Sequence, residues 1–197
     1  MPFVDNKNKF AFIHIPKCGG RSVKKVFDLK RHDHYGISKL VLNPADNCSQ
    51  LDVEGLFKFA FVRNPWDRFV SAYEYLKRGG IPLYDRLKTL AIKKEYPDFK
   101  DFVFAKHVWE KWIFFYPQLD FISVDGSIKT DFVGRFENFQ NDFNFICDQI
   151  NYPRVKLPHV NKTKHAHYTE YYDDQLIKFI GRSFEEDIDT FKYRFGE

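Results

Sequence analysis

The stretch that most constrains this chain is Lys9 to Phe27, KFAFIHIPKCGGRSVKKVF. Phe10 to Ile15 is a short, nearly all-apolar run, which suits a strand covered on both faces. Pro16 ends it. Val23, Val26 and Phe27 then follow at i, i+3, i+4, the spacing of an amphipathic helix with Ser22 in its N-cap region. A strand, a glycine-bearing turn and a helix start make an anion site. The first N–H groups of a helix lack partners, and its dipole places partial positive charge beside them. Gly19 and Gly20 allow close backbone approach, and Lys17 adds a full charge. The order is not that of a nucleotide P-loop, which closes on Gly-Lys-Ser/Thr. Here Lys17 precedes the glycines and Arg21 stands before Ser22.

A chain of 197 residues predicts one domain, 1–197, with one sizeable core. Hydrophobic content of 44% with 23 Phe excludes disorder and predicts an aromatic core. The formal charge of +4 is too small to argue for nucleic acid, and it suits an enzyme of anionic ligands. Cys18, Cys48 and Cys147 are odd in number and widely spaced, so no disulfide framework is implied. MPFVDNKNKF has no apolar signal-peptide core and no run approaches a membrane span, so a soluble, cytoplasmic protein is expected.

Phe57 to Val62 is the second strong strand, with Arg63 at its C-terminal end. Asn64 caps the following helix, Pro65 takes its first position and Asp67 lies in its first turn. Phe69, Val70, Tyr73 and Leu76 form its apolar stripe, Ser71 falls off that stripe, and Gly79-Gly80 with Pro82 terminate it. Residues 43–47 read as a loop. Residues 83–117 predict two helices, Phe99 to His107 being the clearer. Leu119 to Val124 reads as a third strand, Asp125-Gly126 as a turn and Thr130 to Arg135 as a fourth strand. Glu137 to Ile150 and a region from about Tyr168 read as helical. The alternation predicts an α/β fold with a mainly parallel sheet flanked by helices. In such folds ligands bind at the carboxyl ends of strands, where both Lys17 and Arg63 stand.

An arginine at a strand end and a serine two turns into the next helix suit one phosphate held from two directions. The two segments resemble the sulfotransferases that use 3′-phosphoadenosine 5′-phosphosulfate (PAPS), in particular the carbohydrate-type branch. IPKCGGRS is similar to the loop that holds the 5′-phosphosulfate in that family. FVRNPWDRFVSAY is similar to the motif whose Arg and Ser hold the 3′-phosphate. VGRFENF, followed by Asp142, resembles a later strand-to-helix segment, and HVNKTKHAHYTEYY with Asp187, Phe191 and Tyr193 resembles the family more weakly. The resemblance implies a P-loop-NTPase-like sulfotransferase fold, PAPS as donor and 3′,5′-ADP as product. It also implies a hydroxyl acceptor on a glycan or small molecule, with no metal and no nucleic-acid partner. Lys17 and the N–H groups of Cys18, Gly19, Gly20, Arg21 and Ser22 would then offset charge on the leaving phosphate. Lys17 would bond the bridging oxygen as the S–O bond breaks, and Arg63 with Ser71 would select the 3′-phosphate.

The acceptor needs a general base. Relatives of this kind carry a histidine shortly before a Pro-Gln pair, whereas this chain keeps Pro117-Gln118 behind Phe114 and Phe115. His107, seven residues before Phe114, is two turns away if the helix continues, and is the first candidate. Glu137 is the second, with helix capping as its other reading. His14 reads as strand packing and His159 as part of a late loop. Arg68 and Arg135 read as ion-pair partners, with ligand binding equally open for Arg135. Trp66, Trp109 and Trp112 read as core or pocket wall. Cys18 at a helix start lacks the CxxC partner of a redox site. His165-x-His167 falls short of a four-ligand metal site. Two other readings compete: a P-loop-type kinase of nucleotides or small molecules, and a non-catalytic nucleotide-binding module on the same fold.

Overall fold

The computed structural model describes residues 2–29, 36–37, 55–79, 92–158, 160 and 166–197. The 43–47 loop, Cys48, Gly80, Pro82, His159 and His165 lie outside them. The chain divides into two compact units, 1–63 with 117–161, and 64–116 with 162–197.

Apolar runs build the sheet of the first unit. Its strands are β1 (Phe3–Asp5), β2 (Phe10–Ile13), β3 (Phe57–Val62) and β6 (Phe132–Arg135), in the order β1-β2-β3-β6. β2, β3 and β6 are parallel neighbours, and β1 pairs antiparallel with β2. All four residues of β2 and the last four of β3 are buried, as the double-sided apolar runs require. Phe12 and Phe59 sit in register, their rings 5.1 Å apart. The sequence reading had no strand at Phe3–Asp5. A local turn creates it, with Asp5 accepting bonds from the Asn8 backbone N–H (2.9 Å) and side-chain amide (2.7 Å).

The segment Leu119–Val124 corrects an expectation. It is not a strand of the main sheet but a helical turn, Leu119–Ile122, followed by β4 (Ser123–Val124). The Ser123 hydroxyl donates to the Leu119 carbonyl at 2.6 Å, which satisfies the turn locally. β4 pairs antiparallel with β5 (Ser127–Ile128) across Asp125-Gly126, both at positive φ as a tight hairpin demands. The third parallel strand is therefore β6. The helix Phe139–Gln149 follows it and buries Phe143, Ile146 and Cys147. It lies close to β6 because Gly134 has no side chain: a Cβ there would meet the Phe61 ring at 2.6 Å and the Asp142 Cβ at 3.2 Å.

The second unit is helical. Helix Pro65–Lys77 begins as its sequence dictates: the Asn64 side chain accepts from the Trp66 N–H, and Pro65 occupies the first position. Phe69, Val70, Tyr73 and Leu76 are buried, and so is Ser71, although it stands off that stripe. Phe69 is the hub, its ring 4.7 Å from Phe115 and 5.2 Å from Trp109. Trp66 and Trp109 are core residues, and Trp112 packs against that core. Helix Asp174–Ser183, capped by Asp173 on the Leu176 N–H, contributes Leu176 and Ile180, and Glu185–Phe191 follows. The predicted Phe99–His107 helix is broken. Phe99–Phe104 stops at Ala105, and Lys106–Trp109 is a separate turn that a 3₁₀ turn, Ile113–Phe115, follows after an extended Trp112. The Trp109 indole pins this break by donating to the Val103 carbonyl at 2.9 Å. The two-turn helical spacing from His107 to Phe114 therefore does not exist. No helix among the described residues is long and apolar enough to cross a membrane.

Candidate functional site

The pairings Ile13↔Ala60 and Val62↔Arg135 bring the carboxyl ends of β2, β3 and β6 to one edge of the sheet. Three polar segments leave from that edge: the turn Pro16–Gly19, Arg63, and the 3₁₀ turn Phe136–Asn138.

In the first segment, Lys17 (φ 70°) and Gly19 (φ 78°) both take left-handed conformations. For a non-glycine residue such as Lys17 this costs on the order of 1 kcal/mol and persists only where surrounding contacts impose it. Here the Lys17 carbonyl accepts Arg63 Nη1 at 3.2 Å, and the neighbouring Cys18 thiol donates to Gln118 Oε1 at 3.3 Å. Gly19, not Ser22, is the N-cap of helix Gly20–Val26. Ser22 lies in the first turn, buried, and its N–H donates to the Gly19 carbonyl at 2.9 Å.

The two glycines also admit rings of their own unit. A Cβ on Gly19 would stand 2.6 Å from Phe139 Cζ, and one on Gly20 only 2.0 Å from His14 Cδ2. His14 is buried, stacked on Phe12 with centroids 5.8 Å apart, which is the strand-packing role its position predicts.

Gln118 is the centre of this edge. Fully buried, it accepts the Arg63 N–H on Oε1 (2.8 Å) and donates Nε2 to the Arg63 carbonyl (2.9 Å). Its amide acts as a strand partner for the residue just beyond β3, and the same Oε1 takes the Cys18 thiol. The half-buried Arg63 is thus fixed along its backbone, and its guanidinium lies 4.3 Å over the Phe136 ring. One glutamine ties the lysine turn to the arginine strand end.

On the third segment Glu137 is exposed. Asp142 accepts the Arg135 N–H at 2.6 Å and the Asn138 amide at 2.7 Å, so it shapes the strand-to-helix corner. The first unit therefore gathers Lys17, Cys18, Gly19, Gly20, Arg21, Ser22, Arg63 and Glu137. Ser71 and His107 belong to the second unit, His107 being exposed on its short helix. Arg68 is buried there and donates Nη1 to the Tyr116 carbonyl at 2.9 Å, a structural role. His167 begins the 3₁₀ turn Tyr168–Tyr171, its ring Nδ1 2.7 Å from the Thr169 hydroxyl. Sequence reasoning treated Pro117-Gln118 only as a landmark for an absent histidine. It missed Gln118 itself, and it quoted Phe136 within VGRFENF without a role.

A profile of the sulfotransferase family matches residues 2–194. Carbohydrate sulfotransferase 8 of Homo sapiens is 24% identical over 182 residues, covering 77% of this chain and 43% of its own length. Carbohydrate sulfotransferase 9 of Homo sapiens is 26% identical over 203 residues, or 83% and 44%. Carbohydrate sulfotransferase 10 of Xenopus laevis is 22% identical over 245 residues, or 98% and 67%. The chain spans less than half the length of the two human relatives. No solved structure matches it significantly.

Proposed function

This chain belongs to the sulfotransferase family, and from that premise we propose that it moves a sulfuryl group from PAPS to a carbohydrate hydroxyl. The proposed frame is the sulfotransferase variant of the P-loop-NTPase fold, taken over 1–197 as one functional domain. The observation that carries the reading is the tie between the Lys17 turn and Arg63 at the carboxyl ends of adjacent parallel strands. It consists of the Arg63 Nη1 bond to the Lys17 carbonyl and the Gln118 clamp on the Arg63 backbone. Two cationic residues so linked suit a donor with phosphate groups at both ends of a ribose. The names of the three relatives support a sugar acceptor.

In this reading the acceptor oxygen attacks sulfur in line, the S–O bond to the 5′-phosphate breaks, and its electron pair stays on that phosphate. Lys17 and the turn N–H groups of residues 18–22 stabilise the charge that develops there, an interaction stronger in the transition state than before it. Arg63 takes the 3′-phosphate, and Ser71 joins it on the strength of the sequence motif. The acceptor proton goes to a carboxylate, for which Glu137 is our assignment: it is exposed and one residue beyond Phe136, in the same unit as Lys17 and Arg63. His107 is the alternative base.

The test is calorimetric binding of 3′,5′-ADP, followed by transfer from labelled PAPS to a glycan panel. Lys17→Ala and Arg63→Ala should each weaken 3′,5′-ADP by roughly tenfold or more, the scale of a lost charge-assisted contact. Glu137→Gln should keep that affinity and lose transfer. Unchanged nucleotide binding in both Ala variants would sink the donor site. Transfer to any glycan in the panel would rule out the non-catalytic module.

A further inference from the structure

Helix Asp174–Ser183 carries two stripes. Leu176 and Ile180 enter the core of the second unit, while Gln175, Lys178, Phe179, Arg182 and Ser183, at i, i+3, i+4, i+7 and i+8, form the other. With Phe104 and Lys106 this second stripe lines a groove of about 470 Å³. Its floor is aromatic: Phe104, 39% exposed, meets Phe179 edge-to-face with centroids 5.2 Å apart. Its rim is cationic. Lys106, Lys178 and Arg182 are exposed, and among the described residues their side chains have no ion-pair or hydrogen-bond partner. Among the described residues no carboxylate lines the groove.

Each of these features is locally unfavourable. Lys178 and Arg182 are like charges at i, i+4, which weakens a helix, and an exposed phenylalanine leaves apolar area in water. One ligand type relieves both at once: an apolar face to lie on the ring, and anionic groups to reach the rim, where the arginine fork matches carboxylate or sulfate oxygens. We infer that this groove binds an acidic oligosaccharide, a chain of sugar rings bearing carboxylate or sulfate groups. The choice of a sugar over other polyanions rests on the sulfuryl-transfer reading, whereas the anionic character of the ligand rests on the groove alone. A groove of this volume falls within the range of small-ligand sites.

The experiment is fluorescence anisotropy of the full chain with a labelled chondroitin sulfate hexasaccharide, beside labelled maltohexaose and a labelled oligothymidylate. The sulfated sugar should bind, weaken with salt, and exceed both controls. Lys178→Glu combined with Arg182→Glu should weaken it by roughly tenfold or more, and Phe104→Ala by about a few-fold. In all these variants 3′,5′-ADP affinity should stay at the wild-type value, and in the double variant, whose two side chains are exposed, so should the thermal midpoint. Undiminished binding in the double variant, or maltohexaose binding as well as the sulfated sugar, overturns the inference. Tighter binding of oligothymidylate makes the groove a nucleic-acid surface and overturns it equally. Failure of the wild-type chain to bind 3′,5′-ADP would defeat the donor reading alone and leave the groove measurement standing.

Discussion

At Gly20 there is no room for a methyl group. A Cβ would sit 2.0 Å from Cδ2 and 2.2 Å from Nε2 of His14, whose ring is boxed between Phe3 and Phe12 and cannot withdraw into water. Overpacking of this kind costs about 1–3 kcal/mol. Gly20→Ala should therefore lower the unfolding free energy read from urea titration by that amount, and His14→Ala in the same chain should recover part of the loss. Simple additivity of the two changes would remove the steric argument. Gln118→Leu leaves the Arg63 N–H and carbonyl without their amide partner, a loss of about 1–3 kcal/mol for two part-buried groups. Since the same bonds hold Arg63 in place, the variant should weaken 3′,5′-ADP far more than adenosine 5′-phosphate, which lacks the 3′-phosphate. A merely structural glutamine would reduce stability and leave that preference intact.

Helix Pro65–Lys77 depends at its start on one side chain used twice. Asn64 Oδ1 accepts the Trp66 N–H, and its Nδ2 donates to the Arg194 carbonyl at 2.8 Å. Asn64→Ala should cost about 1–2 kcal/mol in chemical denaturation, and Asn64→Asp, which keeps the cap but not the donor, should fall between. Equal losses in both would assign the whole effect to the Arg194 bond. This helix was legible from sequence because its signals are local: cap, proline and apolar stripe all lie within a dozen residues. β3 was legible for the same reason, bounded by Arg63-Asn64-Pro65 and apolar on both faces. Leu119–Val124 was not, since a short apolar run fits a buried strand and a helical turn alike. What separates them is the Ser123 bond to Leu119 and the Asp125-Gly126 hairpin beyond it. Lys17 and Arg63 could be placed at strand ends from pattern alone. The Gln118 clamp could not, because its partners lie 55 and 100 residues away in sequence.

At the scale of a whole compact unit, alkaline pH should lower the stability of the second unit. Burial, with Glu74 next, pushes Tyr73 up to about 12, and burial and then Glu74 do the same for Tyr171. Burial raises Tyr172 in the same direction. The Tyr171 hydroxyl donates to Glu74 Oε1 at 3.1 Å and that of Tyr73 to the Pro97 carbonyl at 3.0 Å, bonds that need the neutral phenol. An unfolded chain ionises its tyrosines near 10, so the folded state holds these protons more tightly. The resulting stability is complete below about pH 10 and drains away as pH rises towards about 12. The three tryptophans Trp66, Trp109 and Trp112 all lie in residues 64–116, so indole fluorescence reports this unit directly. Urea titrations followed by that signal should show the midpoint falling steeply between pH 10 and 12. The fall should be shallower in Tyr73→Phe/Tyr171→Phe, where neither position carries a proton to lose. If the wild-type and double-variant midpoints decline in parallel over that interval, ionisation of these two phenols is not what opens the second unit.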